Sequence, residues 1–157
     1  MQIGVLFVCL GNICRSPMAE AIFRNLVNER GIEERFIIDS AGTGDWHIGE
    51  GPHQGTVKKL AEHNISTQGM YSRQLKRNDY DRFDYIVCMD ESNIQNALPM
   101  LGQKDSLKVF RLLDLLDVPK DVPDPYFTGD FEETYQLCLK GCKALLQKIE
   151  EDNNMEH

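Results

Sequence analysis

The chain has 157 residues, which is about the size of one ordinary domain. Its content of 41% hydrophobic and 27% charged residues lies in the globular range and excludes extensive disorder, and no apolar run approaches the roughly 18–20 residues of a membrane span. The net charge of −8 argues against general binding to nucleic acids or anionic membranes, so any phosphate site must rely on a local arrangement of donors.

The first predicted element is a strand at residues 3–8, a nearly continuous apolar run typical of a strand buried on both faces of a parallel sheet. Ser16 and Pro17 then predict the N-cap and first position of a helix, which Gly31 is expected to end. The alternation continues with predicted strands at residues 36–38, 84–89 and 107–112, helices at 54–62 and 92–98, and a final helix after a loop rich in Pro and Asp at residues 118–130.

This alternation of strands and helices implies a parallel sheet covered on both faces, with ligands at the carboxyl ends of its strands. Residues 1–150 are expected to form a single domain, and residues 151–157 an acidic tail that frays. The loop after the first strand is therefore the first place where chemistry is expected.

That loop runs from Cys9 to Ser16 and combines three features of a phosphate site. A loop that enters a helix N-terminus can aim consecutive backbone N–H groups at one anion. Gly11 permits close approach of the backbone, and Arg15 adds a planar fork that takes two phosphate oxygens at once. A thiol beside a helix N-terminus and an arginine is a thiolate nucleophile near neutral pH, and Cys9 stands at the end of the strand. The pattern predicts a phosphoryl-transfer site with its own nucleophile.

Two plainer interpretations compete with this one. A buried structural cysteine followed by an ordinary turn uses the same residue types. A zinc site made by Cys9, Cys14, Cys138 and Cys142 is disfavoured, because the last two lie on the apolar stripe of the final helix and neither pair has the tight spacing of common zinc sites. The five cysteines are sparse and odd in number, which favours reduced thiols; with no signal peptide expected, we predict a cytoplasmic protein.

Residues 8–20 read VCLGNICRSPMAE, which resembles the signature of the low-molecular-weight protein tyrosine phosphatases. The resemblance extends through residues 39–43, 83–93 and 124–126 and covers essentially the whole chain. It implies a small doubly wound, flavodoxin-like α/β sandwich with a central four-stranded parallel sheet and helices on both faces. It also implies hydrolysis of phosphotyrosine in proteins through a cysteinyl phosphate on Cys9, with no metal and no cofactor.

The same resemblance makes Asp124 the general acid and, in the second step, the base. Two flanking prolines stiffen its loop and lower the entropy of presenting one carboxylate, although proline and aspartate are also ordinary turn residues. Trp46, Tyr126 and Phe127 are candidate walls of the pocket, because aromatic faces would sandwich a phenyl ring and favour phosphotyrosine over the shorter phosphoserine. Core packing is the alternative for each of these rings.

The resemblance also assigns the residues that bind the phosphate and shape the loop. The binding set comprises Leu10, Gly11, Asn12, Ile13, Cys14 and Ser16 together with Arg15. Ser16 would donate its hydroxyl to the Cys9 thiolate. Asn12 and Ser40 would form a hydrogen-bonded pair that holds the loop open.

Asp90 would orient Arg15 in the same supporting network. Some relatives carry a histidine in this network at the position that corresponds to Met70, and the sequence leaves open which group takes its place. The four histidines are expected to be surface or packing residues: His47, His53, His63 and His157. Cys14 could capture an oxidised Cys9 as a disulfide and so protect it from further oxidation, or it could be a small buried thiol.

Three other functions remain as alternatives. An arsenate reductase on the same scaffold would need two additional cysteines near the third strand, where this chain has only Cys88. Arginine phosphatases tend to carry a smaller polar residue in place of Ile13. A phosphate-carrying or phosphopeptide-binding module would need neither Arg15 nor Asp124. The expected partners are phosphotyrosine-containing proteins, with no nucleic acid, and a monomer is expected.

Overall fold

The computed structural model describes residues 2–155 and contains a four-stranded sheet in which neighbouring strands run parallel. Strand β1 is Ile3–Cys9, β2 is Phe36–Gly42, β3 is Tyr85–Cys88 and β4 is Val109–Arg111. Their order across the sheet is β2-β1-β3-β4, so β1 has a neighbour on each side and ends in the middle of one sheet edge. The predicted α/β fold with a four-stranded parallel sheet is confirmed.

Helices cover both faces of this sheet. Within the described residues they are α1 Arg15–Glu29, α2 Gln54–Ala61, α3 Asp79–Arg82, α4 Glu91–Met100, α5 Pro125–Thr128 and α6 Phe131–Asp152, with 3₁₀ turns at Glu33–Arg35 and Leu112–Leu115. Successive side chains of a strand point to opposite faces, and β1 accordingly divides two hydrophobic cores. Phe7 and Cys9 belong to the core with α1 and α6, whereas Leu6 and Val8 belong to the core with α4.

Helix α1 starts two residues earlier than predicted and ends close to the predicted stop. Its N-cap is Cys14, so the prediction that Ser16 caps the helix is wrong. The Ser16 hydroxyl is engaged inside the preceding loop instead, where it contacts the Cys9 sulfur at 3.0 Å. At the other end Gly31 adopts a φ of 69°, and its N–H donates to the Asn28 carbonyl at 3.0 Å, which closes the helix as glycine at this position usually does.

The lengths of two strands differ from the apolar runs that predicted them. Strand β2 continues past residue 38 to Gly42, because β1 supplies partners as far as the pair Cys9–Gly42. Strand β4 is limited to three residues, since β3 offers partners only from Ile86 to Cys88. Backbone pairing, rather than local hydrophobicity, therefore sets where each strand ends, and it carries the polar Ser40 to the carboxyl edge of the sheet.

The prediction of a frayed tail is wrong for the residues that the structure describes beyond position 150. Helix α6 continues through Asp152, and Met155 is buried against the core. Met155 lies three residues beyond the end of α6, and its N–H donates to the Glu150 carbonyl at 2.9 Å, which folds the chain back toward the helix. Residues 156 and 157 lie outside the described residues. In the range 2–155, no helix is long and apolar enough to cross a membrane.

Candidate active site

The loop between β1 and α1 turns its carbonyl groups outward. Five carbonyls accept hydrogen bonds of 2.8–3.1 Å from outside the loop: Cys9 from the Thr43 N–H, Leu10 from the Gly44 N–H, Gly11 from the Ser72 hydroxyl, Ile13 from the His53 N–H and Cys14 from the Thr56 hydroxyl. The C=O and N–H of a trans peptide point in opposite directions, so the N–H that follows each of these carbonyls points inward. The loop is thus a ring of inward N–H donors, which is an anion-binding arrangement.

The Cys9 sulfur lies inside this ring. The Asn12 N–H donates to it at 3.3 Å, and the Ser16 hydroxyl is 3.0 Å away. Only 3% of Cys9 is exposed, yet its side chain lines a cavity that opens to solvent. A thiolate here would be stabilised by hydrogen bonds to its charged form, as a nucleophile requires.

Arg15 is buried under the same cavity, with 2% of its surface exposed. Its Nη1 donates to Asp90 at 2.5 Å and to the Val122 carbonyl at 3.0 Å. Its Nη2 makes a longer contact of 3.3 Å with Asp124, and its Nε has no hydrogen-bond partner among residues 2–155. The Nη1 side is therefore anchored by protein, while the Nε–Nη2 edge remains available for two oxygens of an anion.

Neighbouring groups stabilise the positive charge of the buried Arg15 side chain. Burial by itself would lower the pKa of the guanidinium, but the Cys9 sulfur, Asp90 and Asp124 raise it above its ordinary value. An uncompensated buried charge would be strongly destabilising, so the two carboxylates are part of what allows a cation to sit here. The predicted orienting contact from Asp90 to Arg15 is present.

Asp124 lies at the mouth of the cavity as the N-cap of α5. Its Oδ1 accepts from the Tyr126 N–H at 3.0 Å, and its Oδ2 contacts Arg15. The cavity has a volume of about 400 Å³ and is lined by Cys9, Leu10, Gly11, Ile13, Cys14, Arg15, Trp46, His47, Asp124, Tyr126 and Phe127. Trp46, Tyr126 and Phe127 are largely exposed at its rim rather than packed in the core. The structure thus brings the predicted nucleophile, cation, acid and aromatic walls around one space.

The supporting residues form a hydrogen-bonded chain behind the loop. Asn12 adopts a left-handed backbone conformation with a φ of 56°, and its Nδ2 donates to Ser16 at 2.8 Å and to Ser40 at 2.9 Å. The predicted Asn12–Ser40 pair is therefore present. Two members of this chain were absent from the sequence prediction: the Arg73 N–H donates to Asn12 Oδ1, and the Ser40 hydroxyl donates to Glu20 at 2.6 Å.

Two of the histidines lie at or beside the cavity. His47 is a part-exposed surface residue, as predicted, and it also lines the cavity, which the sequence analysis did not predict. Its position directly after Trp46 is the sequence signal that could have indicated this. His53 caps α2 through its ring, which also stacks on Phe131 with centroids 5.1 Å apart. His63 stacks on Tyr135 and has a packing role, while His157 lies outside the described residues.

The other four cysteines are also buried. Burial, followed by the charge of Cys9, raises the pKa of Cys14 to about 12, and burial raises that of Cys138 to about 12. Burial also raises the pKa values of Cys88 and Cys142 well above the ordinary range. All five cysteines are free thiols, and the part of the chain that the structure describes contains no group of three or more side chains arranged to hold a metal ion.

Comparison with known proteins matches this architecture to a family. The family model described as "Low molecular weight phosphotyrosine protein phosphatase" matches residues 4–155. The chain belongs to this family. It is 51% identical over 156 residues to the low molecular weight protein-tyrosine-phosphatase YfkJ of Bacillus subtilis, with 98% of this chain and 100% of that relative covered. The crystal structure of YfkJ matches with a TM-score of 0.93 at 52% identity over 97% of both chains.

Two further proteins are similar to this chain. The low molecular weight protein-tyrosine-phosphatase PtpA of Staphylococcus aureus strain MRSA252 is 44% identical, with 99% of both chains covered. The crystal structure of a Drosophila arginine phosphatase has a TM-score of 0.84 at 34% identity and covers 95% of this chain and 98% of its own. The low-molecular-weight protein-tyrosine-phosphatase type predicted from the signature is confirmed.

The contrast among the thiols predicts selective alkylation. Iodoacetamide at pH 7 should modify Cys9 alone, because burial keeps the other four thiols protonated, whereas the Cys9 sulfur lies inside the ring of N–H donors at the base of an open cavity. Inorganic phosphate should slow the reaction by occupying the ring of N–H donors. Peptide mapping by mass spectrometry measures both effects, with the Cys9→Ser variant as the unlabelled control. Labelling of Cys14 at a comparable rate, or no protection by phosphate, would contradict this arrangement.

Proposed function

We propose that this phosphatase hydrolyses phosphotyrosine monoesters in proteins through a cysteinyl phosphate on Cys9, without a metal ion. The observation that carries the proposal is the Cys9 sulfur inside a ring of inward N–H groups, next to an Arg15 edge whose Nε has no protein partner among residues 2–155. Such a site binds a dianion and places a thiolate directly below it. Leu10, Gly11, Asn12, Ile13, Cys14 and Ser16 contribute the remainder of the binding loop.

The first chemical step transfers the phosphoryl group to sulfur. The Cys9 thiolate attacks phosphorus, a P–S bond forms, and the bond from phosphorus to the tyrosine oxygen breaks. Asp124 gives its proton to the departing oxygen, so that tyrosine leaves as the neutral phenol. Arg15 and the N–H groups stabilise the charge on the equatorial oxygens throughout.

The second step regenerates the thiolate. Asp124, now a carboxylate, takes a proton from a water molecule as the water oxygen attacks phosphorus. The P–S bond breaks, inorganic phosphate leaves, and Asp124 carries the proton needed for the next cycle. Asp124 lies at the mouth of the cavity, 3.3 Å from Arg15, which is a suitable place for both roles.

The walls of the cavity favour an aryl ester. Trp46, Tyr126 and Phe127 expose ring surface at the rim, so a phenyl ring can bind between aromatic faces while its phosphate reaches the loop. A shorter phosphoserine would gain little from these walls. Phosphotyrosine-containing proteins are therefore the proposed partners, and simple aryl phosphates should also be hydrolysed. The five free thiols suit a reducing compartment, which favours action in the cytoplasm.

Phosphoarginine is a second candidate substrate, because the chain resembles a Drosophila arginine phosphatase at 34% identity. Ile13, which lines the cavity here, favours the aromatic substrate, since its apolar side chain packs better on a ring than on a guanidinium. A disulfide shuttle is less favoured. Cys88 is fully buried and belongs to the core on the opposite face of the sheet from Cys9.

Hydrolysis of a phosphotyrosine peptide in the presence of a metal chelator tests the proposed activity. Wild-type protein should turn over the peptide and p-nitrophenyl phosphate, and Cys9→Ser should abolish both reactions while retaining phosphate binding, because a serine hydroxyl stays protonated where a thiolate forms. Arg15→Lys should also be severely impaired, since an ammonium cannot replace the two-oxygen fork.

The same assay separates the alternatives. A matched phosphoarginine peptide should react far more slowly than the phosphotyrosine peptide. Faster release of phosphate from phosphoarginine would favour the arginine phosphatase, and binding of phosphopeptide without any turnover would favour a binding module. Phosphoenzyme trapped on a residue other than Cys9 would refute the mechanism.

Replacing the acid should affect substrates according to their leaving groups. Asp124→Asn retains a good N-cap for α5 but cannot protonate the leaving oxygen. Hydrolysis of phosphotyrosine should fall by about 10²–10⁴-fold, as expected for loss of general acid catalysis, whereas p-nitrophenyl phosphate should lose far less, because p-nitrophenolate leaves without a proton. Rates for both substrates between pH 4 and 9 give the comparison, and the decline at high pH should flatten in the variant.

Asp130→Asn is the matched control for this experiment. Asp130 caps α6 just as Asp124 caps α5, but its side chain accepts from the Glu133 N–H and does not line the cavity. The control should behave like wild type on both substrates. An equal loss on both substrates in Asp124→Asn, with an unchanged pH profile, would remove Asp124 from the mechanism.

Oxidation should be reversible through Cys14. Peroxide converts the Cys9 thiolate to a sulfenic acid, and the Cys14 thiol then displaces water from it to form a disulfide that thiol reductants open. The two side chains line the same cavity from one loop. In Cys14→Ser, peroxide inactivation should become largely irreversible, as measured by activity recovered after dithiothreitol.

Cys88→Ala is the control for the redox test and should recover like wild type. Peptide mapping of the oxidised protein should identify the bond between Cys9 and Cys14. A bond from Cys9 to Cys88 would instead support the disulfide shuttle.

A further inference from the structure

We propose that His53 is a positioning residue that holds the Tyr126 ring at the rim of the cavity and thereby strengthens the binding of aryl phosphates. The proposal rests on the proposed function of this cavity as the site for phosphotyrosine. His53 is not among the side chains that line the cavity, and it acts on the substrate through Tyr126, which is.

The backbone of His53 ties the residue to the phosphate-binding loop. Its N–H donates to the Ile13 carbonyl at 2.8 Å, and its own carbonyl accepts from the Val57 N–H at 3.0 Å. His53 is therefore attached to the loop on one side and to the first turn of α2 on the other. Neither bond uses the side chain, so a substitution at position 53 can leave both of them in place.

Two contacts fix the orientation of the imidazole ring. Its Nδ1 accepts from the Gly55 N–H at 2.9 Å, and its face stacks on Phe131, with centroids 5.1 Å apart and an interplanar angle of 22°. Phe131 in turn packs against the core that contains Phe7 and Cys9. A ring that is hydrogen-bonded at one edge and stacked on one face has little freedom to rotate.

Gly55 makes room for this stacked pair. A Cβ at position 55 would lie 2.4 Å from two atoms of the Phe131 ring, so any side chain there would displace the ring on which His53 rests. The backbone of Gly55 is not in the left-handed region, so close packing, rather than backbone conformation, is the reason for a glycine here.

The imidazole also contacts the aromatic rim of the cavity. His53 and Tyr126 meet edge to face, with centroids 6.1 Å apart and an interplanar angle of 78°, which is a favoured arrangement of aromatic rings. Tyr126 meets Phe127 in the same way at 5.4 Å. A line of four rings thus runs from the core to the rim, in the order Phe131, His53, Tyr126 and Phe127.

This support matters because Tyr126 is 57% exposed on a helix of only four residues. An exposed ring that is free to change rotamer loses conformational entropy when a substrate packs on it, and this loss weakens binding. A ring that is already held by His53 loses less. His53 should therefore affect the affinity for the aryl part of a substrate, and it should leave the affinity for phosphate to the loop.

Two substitutions separate the ring of His53 from its role as the N-cap of α2. His53→Asn keeps a side chain that accepts from the first turn of the helix, since asparagine is among the best N-cap residues, but it removes the aromatic ring. His53→Phe keeps a ring beside Phe131 and Tyr126 but removes the cap. A role in helix stability alone predicts that the Phe variant is the more impaired, whereas a positioning role predicts that the Asn variant is.

The experiment measures protection of Cys9 from iodoacetamide in the full-length protein, by mass spectrometry. The protecting ligand is either inorganic phosphate or benzylphosphonate, in which a CH₂ group replaces the ester oxygen of an aryl phosphate. Both ligands place a phosphoryl group in the loop, and only benzylphosphonate adds a phenyl ring. The ratio of the two half-protecting concentrations therefore isolates the contribution of the aromatic rim.

In His53→Asn the half-protecting concentration of benzylphosphonate should rise by about 2–10-fold, as expected for the loss of one aromatic contact, and that of phosphate should stay unchanged. In His53→Phe both concentrations should stay at the wild-type value, while the midpoint of thermal unfolding falls because α2 loses its cap. His63→Asn is the matched control. His63 also stacks on a tyrosine, Tyr135, but neither ring lines the cavity, so neither concentration should change.

Three results would overturn the proposal: an unchanged affinity for benzylphosphonate in His53→Asn, an equal loss of affinity for both ligands, or a loss in His53→Phe as large as in His53→Asn. If His53→Asn does not fold, Phe131→Leu takes its place, because it removes the ring on which His53 stacks. A selective loss of benzylphosphonate affinity in Phe131→Leu supports the proposal, and an unchanged affinity overturns it.

Protection of Cys9 is measured without turnover. If the protein proved inactive on phosphotyrosine, the ratio of the two concentrations would still report whether His53 supports the rim, so a failure of the proposed function can be told from a failure of this proposal. Hydrolysis adds one comparison. His53→Asn should raise KM for a phosphotyrosine peptide and leave kcat nearly unchanged, because the Tyr126 N–H still holds the Asp124 carboxylate.

Discussion

The outward orientation of the loop carbonyls is the constraint on which the site depends. Peptide groups that turn C=O away from a common centre must present N–H groups to it, and this orientation persists only if the carbonyls find partners outside. Those partners come from residues 43–56 and from Ser72, well beyond the signature sequence. Gly42 allows the necessary closeness, since a Cβ there would lie 2.9 Å from the Leu10 carbonyl oxygen. The loop is therefore shaped as much by its surroundings as by its own residues.

An acidic protein can bind an anion because the donors act at short range. The net charge of −8 belongs to the whole chain, whereas the inward N–H groups and Arg15 line one cavity, where they would contact a bound phosphate at hydrogen-bond distance. Asp90 and Asp124 help to keep Arg15 charged, and they leave one edge of its guanidinium for the ligand. The same carboxylates limit how much positive charge the site presents to solvent, so binding requires an anion that fits the loop rather than any anion nearby.

Much of the fold could be predicted because its signals are local. Three elements show their hydrophobic pattern within their own segment of sequence. They are β1 with its apolar run, α1 with the helical spacing that ends at Gly31, and α6 with its apolar stripe. Cys9, Arg15 and Asp124 could be assigned because the signature and the Pro-flanked acid are short motifs. The predictions that failed concern features set by distant partners, namely the extent of β2 and the burial of Met155.

The short helix α5 joins two tasks in one rigid turn. Asp124 caps it, a 3.0 Å hydrogen bond ties that carboxylate to the Tyr126 N–H, and the next residues carry the two rings at the rim. A tilt of this turn would move the proposed proton donor and two of the rim rings together. A substitution in α5 that changes which substrates bind would therefore also change the rate of turnover. The cavity wall formed by Trp46 and His47 lies on a separate segment, so substitutions there can change substrate preference without moving Asp124.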